Sequence, residues 1–82
     1  IACFPNPTTD RITFRLDLQT AQTVSIYITD IQGKRHTVLN EQPLTSGFHN
    51  LPFDLENWAS GVYVYQVIID NHIVTKRFTI VK

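Results

Sequence analysis

The sequence predicts an all-β domain, either an antiparallel β-sandwich or a Greek-key barrel of six or seven short strands. Three observations support this prediction. Apolar and polar residues alternate along several short runs, and turn-forming residues recur about every ten positions. No stretch repeats its apolar residues with the helical period of about 3.6 residues. The chain has 82 residues, which indicates one small domain, and 43% of them are hydrophobic, enough for a core.

The charge composition argues against some classes of function. Seven basic and seven acidic residues give a formal net charge of zero, whereas non-specific nucleic-acid binding favours a basic excess. No apolar run has the length needed to cross a bilayer. The single cysteine, Cys3, has no intrachain disulfide partner and is expected to behave as a small apolar residue. An intermolecular bridge through Cys3 is the alternative.

The amino-terminal part begins with a proline-rich lead-in and continues with two strands. Residues 4–10 contain two prolines, which restrict the backbone and predict a rigid turn. Residues 11–18 and 23–29 alternate strictly, and their short link predicts that they pair as antiparallel neighbours. The side chains predicted to face the core are Ile12, Phe14, Leu16 and Leu18 in the first run and Val24, Ile26 and Ile28 in the second.

The middle of the chain predicts two edge strands. Gly33 lies in a turn and is expected to adopt a positive φ. The run 34–40 is polar, as is typical of an edge strand, and residues 41–47 are predicted to form a loop. The run 48–55 contains Pro52, which donates no hydrogen bond to a neighbouring strand, so this strand is predicted at an edge or a bulge.

The carboxyl-terminal third predicts a β-hairpin that organises the fold. Residues 60–69 and 72–82 flank Asp70 and Asn71, which suit a tight turn. The first of these runs is apolar on both faces, which predicts a central strand covered on both sides. In the second run, Val74, Phe78 and Ile80 share one face. Tyr63 and Tyr65 are expected to pack in the core rather than to form an exposed platform.

No motif in the chain predicts catalysis. The three histidines have no metal-binding spacing, and neither a nucleophile elbow nor a glycine-rich phosphate loop is present. A calcium site built from loop oxygens needs no linear motif and stays an alternative. We therefore expect no enzyme activity, no cofactor and no bound metal.

Four segments resemble, in order, the motifs of one family. Phe4-Pro5-Asn6-Pro7 resembles its YPNP-type opening, and Asp30-Ile31-Gln32-Gly33-Lys34 resembles its D-x-x-G-[KR] turn. Trp58-Ala59-Ser60-Gly61-Val62-Tyr63 is similar to its L-x-x-G-x-Y motif, and residues 75–82 are similar to its lysine-containing closing strand. The family is that of the C-terminal sorting domains of the type IX secretion system. The departures are small, since Phe replaces Tyr in the first motif and Trp replaces Leu in the third.

The resemblance implies a fold and a non-catalytic function. It implies an immunoglobulin-like (Ig-like) sandwich of about seven strands, with residues 1–82 as the single sorting domain at the end of a longer secreted precursor. Such a precursor enters the periplasm, and the domain then directs its passenger through the outer-membrane translocon, with shuttle and sortase components as further partners. A sortase-like peptidase is expected to cut upstream of Phe4, at or before Ile1. The passenger is then attached to the cell surface or released.

The resemblance also indicates which residues the machinery recognises. The lead-in and the final strand are the two expected recognition elements, and an edge position of the final strand would allow β-augmentation or self-association through edge strands. Lys76 and Lys82 have a simpler alternative as solubilising edge charge, and Gly61 as a backbone bend. The predicted recognition residues are Pro5, Asn6, Pro7, Gly33, Gly61, Tyr63, Lys76 and Lys82.

An accessory binding module is the alternative function. An Ig-like or fibronectin-like module at the end of a secreted enzyme, such as a carbohydrate-binding one, has the same strand pattern. It would keep an exposed aromatic platform and tolerate changes at Lys82. A sorting domain would instead fail when its last strand is truncated.

Overall fold

The computed structural model describes residues 2–82, which form seven β-strands. Ile1, where the cleavage prediction falls, lies outside the described residues. All pairings between these strands are antiparallel. The strands are β1 (Ala2–Phe4), β2 (Arg11–Leu18), β3 (Gln22–Thr29), β4 (Arg35–Leu44), β5 (Gly47–Asp54), β6 (Gly61–Ile69) and β7 (His72–Ile80).

The strands form two sheets that face each other, as the predicted sandwich requires. One sheet has the order β1-β2-β5 and the other has the order β4-β3-β6-β7. The predicted pairing of β2 with β3 is wrong, because these strands lie in different sheets. Each has a row of buried apolar side chains on one face, and the three-residue connector at 19–21 carries the chain from one layer to the other. Their apolar faces therefore meet across the core instead of lying side by side.

The core consists of the side chains between the two sheets. Every inward side chain predicted on β2 and β3 is buried, and so are Tyr63 and Tyr65 on β6. Phe14 packs edge to face on Tyr65, with 5.2 Å between ring centroids. The buried hydrophobic residues are Ile12, Phe14, Leu16, Leu18, Val24, Ile26, Ile28, Leu55, Tyr63, Tyr65, Val67, Phe78 and Ile80.

The position of β6 confirms one prediction and corrects another. The strand is central in its sheet, between β3 and β7. Its second face is uncovered, since Val62 is 48% exposed and Val64 is 39% exposed. The prediction that β6 is covered on both sides is therefore wrong. A sandwich has only two layers, so no third element covers the outer face.

Both predicted edge strands lie at edges. β5 pairs only with β2, and Pro52 lies opposite Thr13 within that pairing. β4 pairs only with β3, but it continues to Leu44, so the predicted loop at 41–47 is too long. A bulge explains the extension, because Glu41 adopts a positive φ of 46° and the register shifts nearby.

The last hairpin has the predicted two-residue connection. Ile69 pairs with His72, which leaves Asp70 and Asn71 as the turn. Asp70 has a φ of 52°, in the left-handed region that aspartate and asparagine tolerate better than most residues. The hairpin therefore closes without glycine.

Phe14 and Phe48 provide a matched test of the two-layer core. Phe14 is fully buried, so Phe14→Ala should lower the free energy of unfolding by about 3–5 kcal/mol. Phe48 is 66% exposed and lies under the guanidinium of Arg15, so Phe48→Ala should cost less than about 1 kcal/mol. Urea denaturation followed by circular dichroism measures both. Equal losses in the two variants would contradict this packing.

Candidate functional site

Four segments meet at one end of the sandwich. Successive strands run in alternating directions, so every second connection falls at the same end. The segments are residues 5–10 before β2, residues 30–34 between β3 and β4, residues 55–60 between β5 and β6, and residues 81–82 after β7. We call this end the motif end, because each of the four motifs has residues there.

The lead-in pairs with the last strand at the motif end. The Thr8 N–H donates to the Thr79 carbonyl at 2.9 Å, and the Val81 N–H donates to the Thr8 carbonyl at 2.8 Å. The side-chain oxygen of Asn6 accepts a hydrogen bond from the Thr79 N–H at 3.1 Å. Thr8 is only 2% exposed, and its hydroxyl donates to the carbonyl of Arg11. The three bonds between the lead-in and residues 79–81, which we call the clamp, join two segments that are far apart in sequence.

The turn at residues 30–34 is organised by Asp30. One carboxylate oxygen accepts hydrogen bonds from the N–H groups of Gln32 and Lys34 at 3.0 and 2.9 Å. The other oxygen lies 3.2 Å from Nε2 of His36. The hydrogen bond from the Lys34 N–H is the main cause that lowers the pKa of Asp30, with His36 and Gln32 contributing and desolvation opposing. Gly33 supplies the predicted positive φ, at 85°.

The second and third motifs line one surface cavity. Its volume is about 390 Å³. The Trp58 ring forms one wall and contacts the His36 ring, with 4.5 Å between centroids. Trp58 also lies 5.3 Å from the Tyr63 ring, whose hydroxyl donates to the Ala59 carbonyl at 2.7 Å. The lining residues are Asp30, Ile31, Gln32, His36, Asn57, Trp58, Ala59, Ser60, Gly61 and Tyr63.

The last residue, Lys82, fastens the chain end to the wall of this cavity. Its ammonium donates to the carbonyls of Leu55 and Glu56 at 3.0 and 2.5 Å. Its backbone N–H donates to the Ser60 hydroxyl at 3.0 Å. Three hydrogen bonds thus hold the segment that carries Trp58.

The comparison with known proteins assigns a family. A family described as "Secretion system C-terminal sorting domain" matches residues 2–82. The chain belongs to this family. It is a C-terminal sorting signal of the type IX secretion system, as the four motifs predicted. No significant match was found among curated proteins or among solved structures.

Membership implies partners and a route. A sorting domain interacts with the type IX machinery and is fused to a passenger protein. It accompanies that passenger across the outer membrane, to the cell surface or the extracellular space.

The structure brings most of the predicted recognition residues together. Seven of them lie at or next to the motif end: Pro5, Asn6, Pro7, Gly33, Gly61, Tyr63 and Lys82. Gly61 lies opposite Ile80 and has a φ of 157°, and a Cβ there would meet Tyr63 at an ordinary 3.9 Å. Backbone conformation rather than close approach therefore favours glycine at this position. The recognition roles themselves stay predictions.

Lys76 is the predicted residue that lies apart. It pairs with Tyr65 in the middle of β7, four residues before Ile80. Thr79, the nearest residue of the clamp, is three positions further on, which is roughly 10 Å along the strand at the usual rise per residue. Lys76 therefore belongs to a different surface of the sorting domain.

Sequence reasoning missed Thr8, His36 and Ser60 as parts of this end. Thr8 lies outside every alternating run, and its burial comes from pairing with the opposite end of the chain. His36 contacts Asp30 and Trp58, which sequence spacing does not relate. Ser60 belongs to the third motif, but its hydrogen bond with the Lys82 N–H joins positions 22 residues apart, which sequence spacing does not relate.

The Cys3 thiol is the remaining group with possible reactivity. Burial raises the pKa of the Cys3 thiol to about 11, although a hydrogen bond with Tyr65 partly opposes the shift. Cys3 is therefore a thiol rather than a thiolate at neutral pH. Among residues 2–82, no group of three or more His, Cys, Asp or Glu side chains is placed to hold a metal ion. The same residues contain no helix with the length and apolar character of a membrane span.

The Asp30 turn should make stability depend on acid. Its folded-state pKa lies below the ordinary value of 3.8, so its contribution is complete above that value and is lost as the pH falls through the folded pKa. Asp30→Asn should have a lower free energy of unfolding than wild type at neutral pH. The difference between the two free energies should become smaller as the pH falls from about 5 towards 2. Urea midpoints measured across that range check this. A constant difference would show that the carboxylate charge does not support the turn.

Proposed function

We propose that this sorting domain acts as a folded, non-catalytic handle whose motif end is recognised by the type IX machinery. In this proposal the translocon and its shuttle component bind the motif end while the precursor is in the periplasm. A sortase-like peptidase then cuts the chain upstream of Phe4. The passenger is attached to the cell surface or released, and the handle is discarded.

One observation carries the proposal. The four motif segments are far apart in sequence, yet the fold gathers them at one end. At that end the clamp and the bonds of Lys82 hold the lead-in, the last strand and the cavity wall together. Such a surface exists only when the domain is folded. It is therefore a handle that a machine carrying many different passengers could recognise without contacting the passenger.

The proposal that the domain is not an enzyme is supported by the state of its polar groups. At the motif end, the carboxylate of Asp30 is occupied by two backbone N–H groups and by His36. The Tyr63 hydroxyl is occupied by the Ala59 carbonyl, and the Lys82 ammonium by two further carbonyls. These bonds stabilise loops, and none joins a nucleophile to a base.

The cleavage proposal is supported by the position of β1. This strand lies at the edge of its sheet and pairs only with β2. Phe4, at its end, is 47% exposed. The chain therefore reaches the sandwich along its surface, where a peptidase has access to the segment before the domain.

A reporter fusion tests the proposed function. Residues 1–82 are joined to the carboxyl end of a periplasm-targeted fluorescent protein and expressed with and without a functional type IX translocon. Fluorescence outside the cell only in the strain with the translocon is the expected result. Folded fusion protein retained in the periplasm of both strains would overturn the proposal and favour the accessory-module alternative.

Substitutions at two exposed glutamines distinguish an effect on recognition from an effect on folding. Gln32 lies in the Asp30 turn at the motif end, and Gln19 lies in the connector at the opposite end. Neither side chain packs in the core, so Gln32→Arg and Gln19→Arg should both fold with nearly unchanged melting temperatures. We expect Gln32→Arg to reduce reporter export several-fold and Gln19→Arg to leave it unchanged. Equal export of both variants would show that this part of the motif end is not recognised.

A further inference from the structure

A second surface of the sorting domain is the free edge of its last strand. We propose that the open part of the β7 edge, residues 73–77, docks an extended polypeptide segment that carries carboxylate side chains, by adding it as a fifth strand to the sheet. The proposal rests on the proposed function, since it assigns this segment to the type IX machinery.

The clamp shows which backbone groups of β7 point outward. Thr79 uses both its N–H and its carbonyl to bind the lead-in, on the side away from β6. In an antiparallel ladder, residues two apart point their backbone groups the same way. The register between β6 and β7 runs without a shift from Ile69 opposite His72 to Gly61 opposite Ile80. The N–H and carbonyl groups of Ile73, Thr75 and Arg77 therefore point outward as well.

The clamp also limits the available length. It occupies the outward groups of Thr79 and the N–H of Val81. Within residues 2–82, no other strand or bridge lies on this side of β7. The free window is therefore the five residues 73–77, and it offers three donors and three acceptors to a partner strand. This is long enough for strand addition, in which main-chain hydrogen bonds supply the affinity.

The charge on β7 selects the partner. The strand contains Lys76 and Arg77 and has no acidic residue. Both side chains are exposed, and neither forms an ion pair within the described part of the chain, where the only close pair is that of Asp30 with His36. Unpaired cations beside free backbone groups favour a strand that presents carboxylates.

The position of Lys76 disfavours a second copy as the occupant. Lys76 has the same parity as the buried Phe78, so it extends from the inner face of the edge strand. An inward-facing lysine on an edge strand is a known device against edge-to-edge association. Pairing two β7 strands would bring these cations together with no acid to neutralise them. A carboxylate opposite Lys76 removes the conflict.

The outer face adds an apolar preference. Ile73 is 60% exposed and pairs with Ile68, and Arg77 pairs with the half-exposed Val64. A partner strand that alternates carboxylate and apolar side chains would place its acids on one face and its apolar groups on the other. When the acidic face of the partner strand is on the inner side, its carboxylates lie beside Lys76. Its apolar side chains then lie on the outer face, next to the exposed Val62 and Val64 of β6.

A peptide titration tests the docking directly. The probe is a blocked nine-residue peptide of alternating glutamate and valine, and its control has lysine in place of glutamate. We expect the glutamate peptide to cause saturable nuclear magnetic resonance shifts at the amides of Ile73, Thr75 and Arg77, while the Thr79 amide, already bonded to Asn6, stays nearly unchanged. The double variant Lys76→Glu, Arg77→Glu should reverse the preference. No saturable shift, or equal shifts with both peptides, would overturn the proposal.

The same spectra identify a second copy if that is the true occupant. Shifts at these amides that appear on concentrating the domain without peptide, together with a dimer in light scattering, would assign the edge to self-association. That result would overturn the acidic-partner proposal.

Export of a matched pair separates this proposal from the proposed function. Thr75→Pro removes one outward N–H without touching the bonds to β6, and Thr75→Val keeps it. With the wild-type fusion exported, we expect Thr75→Pro to be retained and Thr75→Val to be exported. Equal export of the two would overturn docking at β7 while leaving the sorting function intact. Should Thr75→Pro fail to fold in a melting experiment, the double variant Lys76→Glu, Arg77→Glu decides, and its full export would overturn the docking proposal.

Discussion

Burial of a single face of each sheet is the constraint on which the rest of the structure depends. β2 and β3 each carry a row of apolar side chains on one face. Two sheets that face each other bury both rows. The chain then has to cross between layers at its connections. Because the strands also alternate in direction, the lead-in, the Asp30 turn, the segment that carries Trp58 and the chain end come to the same end. The motif end therefore follows from the packing of the core.

The clamp makes this end a property of the complete fold. Asn6 and Thr79 are 73 residues apart, and closing a flexible loop of that length costs roughly 4 kcal/mol. A typical intramolecular hydrogen bond contributes only about 1 kcal/mol net, so the three bonds of the clamp would not form in an otherwise unfolded chain. They form once the sandwich has brought the chain ends together. A receptor that binds the motif end would therefore bind only the folded domain. This matters because the signal is synthesised after its passenger.

The sequence predicted those features that depend on local pattern. Alternation along residues 11–18 and 23–29 identified the buried apolar side chains correctly but not the buried Ser25, and Pro52 marked an edge strand. Which strands pair with each other was harder to predict from the sequence. Adjacency suggested that β2 and β3 pair, yet nothing in an alternating pattern says whether two apolar faces lie side by side or face to face. Thr8 was missed for the same reason, because its partner strand is at the other end of the chain.

The candidate site shows why motif resemblance and structural role must be separated. Resemblance placed Lys76 and Lys82 together as recognition lysines, but the fold gives them different surroundings. Lys82 is bonded to two carbonyls, so its ammonium supports the cavity wall and is only partly available to a receptor. Lys76 has no such partner and lies beside free backbone groups. An ammonium that is hydrogen-bonded within its own protein, as in Lys82, helps to fix the shape of a surface. An ammonium without such bonds beside an unpaired strand edge, as in Lys76, favours a partner of opposite charge. The predicted recognition roles of the two lysines of the closing strand therefore rest on different physical grounds.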